Sequence, residues 1–337
     1  MLLAALALLA IGAVAAAIVR FCLVFPRQPS TFACPPLDDH GRAMALRLET
    51  HIRAVASQEH NLDHQRPLEA AAVYIETTLR DIGYMPIRHE FQVAGVLVRN
   101  IEVITGPPPT DMAVQTLVIG AHYDSARDTP GANDNGTGVA ALLELARALK
   151  PLNPTRRLRL IFFVNEEAPY GKTPAMGSYQ HAQSLRARSE PVVGMLALET
   201  LGYFSQRPGS QRFPFPFGLL YADTGNFVAF VGMLRARTFV HSVTRTFRNV
   251  TTFPSIGTVV PAFVEGADLS DHWAYDHFGY PACMVTDTAP FRNPFYHSPN
   301  DTPDTVDYAS LSCITSALTT TITLLAKHHV DGAAART

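Results

Sequence analysis

From about Gln115 onward, apolar strand-like runs alternate regularly with helical segments. Strand-like runs cover residues 116–121 and 158–164, and helical patterns cover residues 137–149 and 178–186. Apolar strands that alternate with helices are typical of a sheet covered on both faces. The sequence therefore predicts an α/β fold, a three-layer αβα sandwich around a central, mostly parallel mixed sheet.

Other segments extend this pattern on both sides. Helical spacing, β-branched runs and turn residues predict the remaining elements. These are helices over 43–57, 68–82, 226–247 and 308–327, a hairpin of 87–93 with 96–104, and strands over 194–198, 218–221 and 282–285.

Composition excludes some classes of function. The 337 residues are 47% hydrophobic, and the formal net charge of -2 gives no basic surface for nucleic acid. There are 13 His and only 4 Cys, so a transition-metal site would use imidazole and carboxylate ligands. The cysteines show no CxxC spacing, which argues against a zinc ribbon and a disulfide framework and leaves one isolated disulfide open.

The first 25 residues are a signal peptide or a membrane anchor, because no charged side chain precedes Arg20. The lack of a basic residue ahead of the apolar run favours an uncleaved anchor. Arg20 and Arg27 by themselves would place the following domain in the cytoplasm. We expect a membrane-anchored or exported protein on the periplasmic or extracellular side, with the topology open. Residues 26–40 are predicted to be a linker and residues 41–330 the catalytic domain.

The stretch 118–138, VIGAHYDSARDTPGANDNGTG, places a histidine and several acids between a strand and a helix. His122 and Asp124 stand two residues apart, so on a strand their side chains point to the same face. Asp134 lies in a loop whose glycines allow a close approach of its carboxylate to one point. Read alone, the stretch fits a binding site or an exposed polar turn equally well.

Three more apolar runs end in acidic or histidine side chains, which argues against solvated strand ends. Residues 160–165 lead to Glu166 and Glu167, residues 195–198 to Glu199, and residues 291–296 to His297. The candidate metal ligands are His122, Asp134, Glu167, Glu199 and His297.

Two imidazoles and three carboxylates are too many for one open tetrahedral zinc. They suit two Zn²⁺ ions about 3.5–4 Å apart with one bridging carboxylate. Glu166 is then free to act as the general base.

These residues resemble the co-catalytic dinuclear zinc peptidases, which include bacterial leucyl aminopeptidases and glutamate carboxypeptidase II. The resemblance covers residues 42–325, and the motifs occur in the family's order. They are AHYD (121–124), GANDNG (131–136), NEE (165–167), LE (198–199), SDH (270–272) and YHS (296–298).

The resemblance implies a role for each residue. His122 and Glu199 hold one zinc, Glu167 and His297 hold the other, and Asp134 bridges them. Asp124 supports His122 and fixes its tautomer. Glu166 transfers a proton from the attacking water to the leaving amine, and Tyr296 either helps to stabilise the oxyanion or is a structural tyrosine.

The sequence departs from the family's pattern in two places. Glu199 stands where many aminopeptidases have Asp, and residues 168–175 form a longer loop than that of the compact members. Asp271 and His272 resemble a family pair near the site, and we expect them to be buried and hydrogen-bonded rather than ligands. The aromatic, proline-rich loop 213–217 borders a cleft or packs on the core.

The sequence therefore predicts a zinc-dependent exopeptidase, an aminopeptidase that acts on a peptide or small amide. One alternative is a single-zinc acyltransferase similar to glutaminyl cyclase, and another is a non-catalytic peptidase-like ectodomain. The full ligand set and Glu166 argue against both. Residue preference, amino- versus carboxypeptidase direction and oligomeric state stay open.

Overall fold

The computed structural model describes Gly12 and residues 36–214, 217–219, 221 and 223–327. Apart from Gly12, the predicted membrane segment lies outside the described residues, and so do residues 26–35 of the predicted linker. The helices are α1 (Asp39–Val55), α2 (Gln65–Asp81), α3 (Thr137–Leu149), α4 (Gly177–Ala187), α5 (Arg237–Val250), α6 (His272–His277), α7 (Ala289–Arg292) and α8 (Tyr308–Lys327). The strands are β1 (Ile87–Val93), β2 (Val96–Thr105), β3 (Thr116–His122), β4 (Arg157–Phe163), β5 (Val192–Glu199), β6 (Val228–Met233), β7 (Ser255–Val260) and β8 (Ala282–Thr286).

The eight strands form one mixed sheet in the order β1-β2-β4-β3-β5-β8-β6-β7. Strands β4, β3, β5 and β8 are parallel neighbours, and β6 is parallel to β7. The β1–β2 hairpin is antiparallel, as are the β2–β4 and β6–β8 pairs. The predicted mixed, mostly parallel α/β sheet is confirmed.

Helices cover both faces of the sheet because each face carries its own apolar cluster. The larger cluster joins the sheet to α1, α2, α3, α5 and α8. The smaller one lies on the opposite face, where Ala182 of α4 and Tyr275 of α6 pack on Ile161, Phe163 and Met195. The central strands β3 and β4 are buried along their full length, as expected for a middle layer.

Two predicted elements are wrong, and both lie in the same part of the chain. The predicted strand 218–221 falls on a 3₁₀ turn, Phe217–Leu219. The predicted helix 226–247 is in fact β6, a 3₁₀ turn at Leu234–Ala236 and α5. Strand β7 was not predicted. Pairing with β7 and β8 stabilises β6, and such pairing between segments distant in sequence is not encoded in local periodicity.

Helix α8 is the one described helix with the length and apolar composition to cross a membrane. Leu311, Ile314, Leu318 and Ile322 of α8 lie in the larger apolar cluster, and 61% of its most apolar window is buried. It therefore packs as a core helix. Cys313 on this helix is disulfide-bonded, whereas Cys283 is a buried free thiol.

Candidate metal centre

Three neighbouring parallel strands deliver polar side chains to one edge of the sheet. His122 is the last residue of β3, and Glu199 is the last residue of β5. Glu166 and Glu167 follow β4 after Asn165, which has a left-handed φ of 61°. Because the carboxyl ends of parallel strands meet at the same edge, these side chains converge.

A short loop between β3 and α3 brings in Asp134. The loop begins with Gly131 at φ 73°, where a Cβ would lie 2.6 Å from the carbonyl oxygen of Asp134. Only glycine fits this turn without strain. The Asn135 side chain donates to the Leu198 carbonyl at 2.8 Å, which fixes the loop against β5.

The candidate ligands form two groups that share Asp134. His122 Nε2 lies 3.3 Å from both Asp134 Oδ1 and Glu199 Oε2. His297 Nε2 lies 3.0 Å from Asp134 Oδ2 and 3.2 Å from Glu167 Oε1. The structure therefore brings together all five predicted metal ligands, and each oxygen of Asp134 faces a different histidine and carboxylate pair.

Several atoms of this cluster are buried without a hydrogen-bond partner. They are His122 Nε2, Asp134 Oδ1 and Glu167 Oε1. Leaving such atoms unpaired costs about 1–3 kcal/mol each, and all three belong to groups that bind zinc. Each of the two groups places its ligand atoms within 4.8 Å of one another. The donor set fits two cations.

The charges of the cluster also favour a cation. Burial and the Asp134 carboxylate raise the pKa of Glu199 to about 8, against the opposing effect of His122. Burial and Asp134 likewise raise the pKa of Glu167. The neighbouring imidazoles of His122 and His297 outweigh burial and lower the pKa of Asp134. The carboxylates thus repel one another, and a bound cation would relieve this repulsion.

Glu166 lies at the edge of this cluster. Its Oε2 is 3.9 Å from His122 Nε2, and its side chain is 15% exposed. Burial, with the charges of Glu167 and Glu199, raises its pKa well above the ordinary value although His122 opposes this. A carboxylate whose pKa is shifted upward and which reaches solvent has the properties of a general base.

The contact between Asp124 and His122 differs from the one expected. His122 Nδ1 donates to the backbone carbonyl of Asp124 at 3.0 Å, and the Asp124 carboxylate lies 3.6 Å away. That carboxylate instead accepts the backbone N–H groups of Glu166 and Glu167, at 3.1 and 3.2 Å. The carbonyl therefore holds the His122 ring, and the Asp124 side chain holds the two glutamates.

The supporting roles of two residues, Ser270 of the SDH motif and Asp301, were not predicted. Ser270 donates from Oγ to Glu199 Oε2 at 2.8 Å. Asp301 is fully buried, and its carboxylate accepts the backbone N–H groups of Asn133 and Asp134, at 2.9 and 3.1 Å. Asp301 lies four residues after His297, the one local signal that could have suggested it.

Asp271 and His272 are buried, and neither belongs to a candidate metal cluster among the described residues. His272 Nε2 donates to the Ala267 carbonyl at 2.8 Å, which agrees with the predicted hydrogen-bonded role. The Asp271 carboxylate has no hydrogen bond of good geometry, and burial raises its pKa to about 7.

A largely apolar cleft opens beside the cluster. It encloses about 800 Å³, solvent included, and both Glu199 and Tyr296 line it. The Tyr296 ring stacks on His297 with centroids 3.9 Å apart. Burial and the surrounding carboxylates raise the pKa of Tyr296, so its phenol stays protonated. The predicted aromatic loop borders the cleft through Phe213, Pro214 and Phe217.

Comparison with known proteins identifies the family. The profile of Peptidase family M28 matches residues 102–322. The uncharacterized protein YfbL of Escherichia coli K12 is 34% identical over 318 residues, which cover 90% of this chain and 96% of that protein. The chain belongs to peptidase family M28. The predicted peptidase family and hydrolase class are confirmed.

Two further proteins resemble this chain, one over part of its length and the other at low sequence identity. A probable leucine aminopeptidase of Arthroderma otae is 29% identical over 57% of this chain, and the match spans 49% of that protein's length. The solved glutaminyl cyclase of Porphyromonas gingivalis superposes with a TM-score of 0.62 over 82% of this chain and 97% of that one, at 16% identity. At this identity the likeness shows the fold alone.

Proposed function

We propose that this chain is a dinuclear zinc aminopeptidase that removes apolar residues from the N-terminus of peptides. His122 and Glu199 would hold one Zn²⁺, Glu167 and His297 the other, and Asp134 would bridge them. The observation that carries the proposal is the position of Asp134, since its two oxygens face two separate histidine and carboxylate pairs. A single-metal site needs no such bridge.

When bound, two zinc ions supply Lewis acidity and an activated water nucleophile. Glu166 Oε2 takes a proton from the attacking water and delivers it to the nitrogen of the leaving amine. The Tyr296 phenol is protonated and lies next to His297, where it can donate to the developing oxyanion. Ser270 and Asp301 keep Glu199 and Asp134 in position.

The apolar cleft supports the preference for apolar residues. Ala229, Val231 and Met284 form part of its wall, and Glu199 stands at the point where the cleft meets the metal ligands. A substrate with its scissile bond at the ligands would place the side chain of its first residue in this cleft, where apolar burial contributes about 1.5–3 kcal/mol for a residue such as Leu or Phe.

An exported position of the domain, anchored through the N-terminal apolar segment, belongs to the same proposal. The disulfide at Cys313 supports it, because disulfides form and persist in oxidising compartments. Alkylation of thiols in whole cells, before and after reduction, tests this. A Cys313 thiol that is alkylated without reduction would contradict an exported domain.

The activity is tested with the purified chain, added zinc and a matched set of substrates. The set contains leucyl, phenylalanyl and glutamyl p-nitroanilides and the N-acetylated form of each. We expect hydrolysis of the first two, slow hydrolysis of the glutamyl compound and none of the blocked compounds. Equal hydrolysis of free and blocked substrates would contradict aminopeptidase specificity.

A peptide with N-terminal Gln tests the acyltransferase alternative in the same experiment. Release of ammonia with formation of a pyroglutamyl peptide, without hydrolysis of the leucyl substrate, would favour cyclase chemistry. The complete set of five candidate ligands favours the two-metal peptidase over a single-zinc cyclase.

A further inference from the structure

A second histidine and carboxylate cluster lies apart from the candidate metal centre and shares no residue with it. His89 is on β1, Glu102 is on β2, and His181 is on α4. Glu102 and His181 are 1% and 0% exposed, and His89 is 31% exposed. The cluster sits where α4 packs on the β1–β2 side of the sheet, with one side open to solvent.

The three side chains have the spacing of metal ligands. His89 Nε2 lies 2.9 Å from Glu102 Oε2, and His181 Nε2 lies 3.3 Å from Glu102 Oε1. One ligand atom from each of the three lies within 4.8 Å of the others. Two imidazoles and one carboxylate form a ligand set that is typical of zinc with one open position.

His181 gives an independent indication of a ligand. Its Nε2 is buried and makes no hydrogen bond of good geometry, even with Glu102. Its Nδ1 lies 2.5 Å from the hydroxyl of Tyr275. When Nδ1 donates to this hydroxyl, the lone pair of Nε2 faces Glu102 and His89. Metal-binding histidines are commonly oriented by such a bond at the other ring nitrogen.

The carboxylate is oriented in a similar way. Arg159 donates to Glu102 Oε1 at 2.8 Å, which leaves Oε2 directed toward His89. The same guanidinium makes two bonds of 2.8 Å to Glu190. Glu190 also pairs with Arg157 and Arg188, so Arg159 is shared between the two glutamates. Arg159 contacts Glu102 through Oε1, and Glu102 Oε2 is the oxygen that faces His89.

We propose that His89, Glu102 and His181 form a further metal site that takes one Zn²⁺, separate from the two ions of the candidate centre. The ion would bind His89 Nε2, Glu102 Oε2 and His181 Nε2, and a water would complete the tetrahedron on the exposed side. It would join the β1–β2 hairpin to α4. Such an ion stabilises the folded chain because the unfolded chain does not hold the three ligands together.

The test compares zinc content in the full-length chain. Wild type, His89→Gln and His40→Gln are equilibrated with Zn²⁺, freed of unbound metal and analysed by mass spectrometry. Gln at position 89 keeps a hydrogen-bond donor for Glu102 but does not ligate zinc, and His40 is an exposed histidine of α1. We expect His89→Gln to bind one ion fewer than wild type, and His40→Gln to match wild type.

The test uses the difference in zinc content per chain between wild type and His89→Gln. This difference does not depend on how many ions the Asp134 cluster binds. Equal zinc content in wild type and His89→Gln would overturn the site, and Glu102 and His181 would then be a hydrogen-bonded part of the core. Anomalous diffraction at the zinc edge from zinc-grown wild-type crystals decides the question without a variant. We expect an anomalous peak between the three side chains, and the absence of a peak there would overturn the site.

Discussion

Ser270→Ala should weaken zinc binding at one of the two positions of the candidate centre. Ser270 is 2% exposed and Glu199 7% exposed, and the bond between Ser270 Oγ and Glu199 Oε2 measures 2.8 Å. A buried hydrogen bond to a charged group contributes about 1.5–3 kcal/mol. Since about 1.4 kcal/mol corresponds to a factor of ten, the loss is roughly 10- to 100-fold in affinity at the position held by His122 and Glu199.

The assay is competition for zinc between the protein and a chromogenic chelator over a range of chelator concentrations. Wild type should release its ions at high chelator only. Ser270→Ala should release one ion at a chelator concentration roughly 10- to 100-fold lower than wild type requires, while the ion near Glu167 and His297 is retained. The kcat for a leucyl substrate should fall with the loss of the first ion and recover with excess zinc.

Ser310→Ala is the matched control. Ser310 donates from Oγ to Asp307 Oδ2 at 2.7 Å at the start of α8, so this variant also removes a bond between a serine and a carboxylate. It should lower the melting temperature and leave zinc release unchanged. If Ser270→Ala releases zinc no more easily than Ser310→Ala, the Ser270–Glu199 bond does not support zinc binding.

Three more predictions concern the base, the cleft and acid stability. Glu166→Gln should keep its zinc and lose about 10²–10⁴-fold in kcat, measured by steady-state kinetics; near wild-type turnover would remove Glu166 from the base role. Ala229→Phe should fill the cleft and raise the KM of a leucyl substrate more than the KM of an alanyl substrate. An unchanged ratio of the two KM values would mean that the first side chain of the substrate binds outside this cleft. The pKa of Glu76 is lowered from 4.5 to about 2, because hydrogen bonds from Arg88, Arg99 and Arg80 outweigh burial. Ionised Glu76 therefore stabilises the folded state by about 3 kcal/mol above pH 4.5. About 2 kcal/mol of this stabilisation is lost by pH 3. In urea unfolding, wild type should lose about 2 kcal/mol more stability between pH 6 and pH 3 than Glu76→Gln does; equal pH dependence of the two proteins would contradict it.

The sequence predicts the central part of the fold well because local signals and tertiary packing agree there. Strands β3 and β4 are short, mostly apolar runs that are buried on both faces, and α3 begins and ends where its periodicity does. The same agreement brings His122, Glu167 and Glu199 to one edge. Parallel strands that each end in a polar residue leave little freedom for where those residues meet.

Prediction fails where distant segments decide the structure. The run from Val228 to Met233 is apolar and continues into the helix α5, so its local pattern does not separate strand from helix. Its pairing with β7 and β8 is decided by segments up to 57 residues away, the separation of Ala229 and Thr286. The supporting roles of Ser270 and Asp301 were missed for the same reason, since each side chain contacts a residue far away in the chain.

From the fold and the ligand cluster we expect two zinc ions to flank Asp134. Anomalous diffraction at the zinc edge from crystals grown with zinc tests this most directly. We predict two peaks about 3.5–4 Å apart, one beside His122 and Glu199 and the other beside Glu167 and His297, with Asp134 between them. A single peak at this cluster in zinc-saturated crystals would contradict the dinuclear centre.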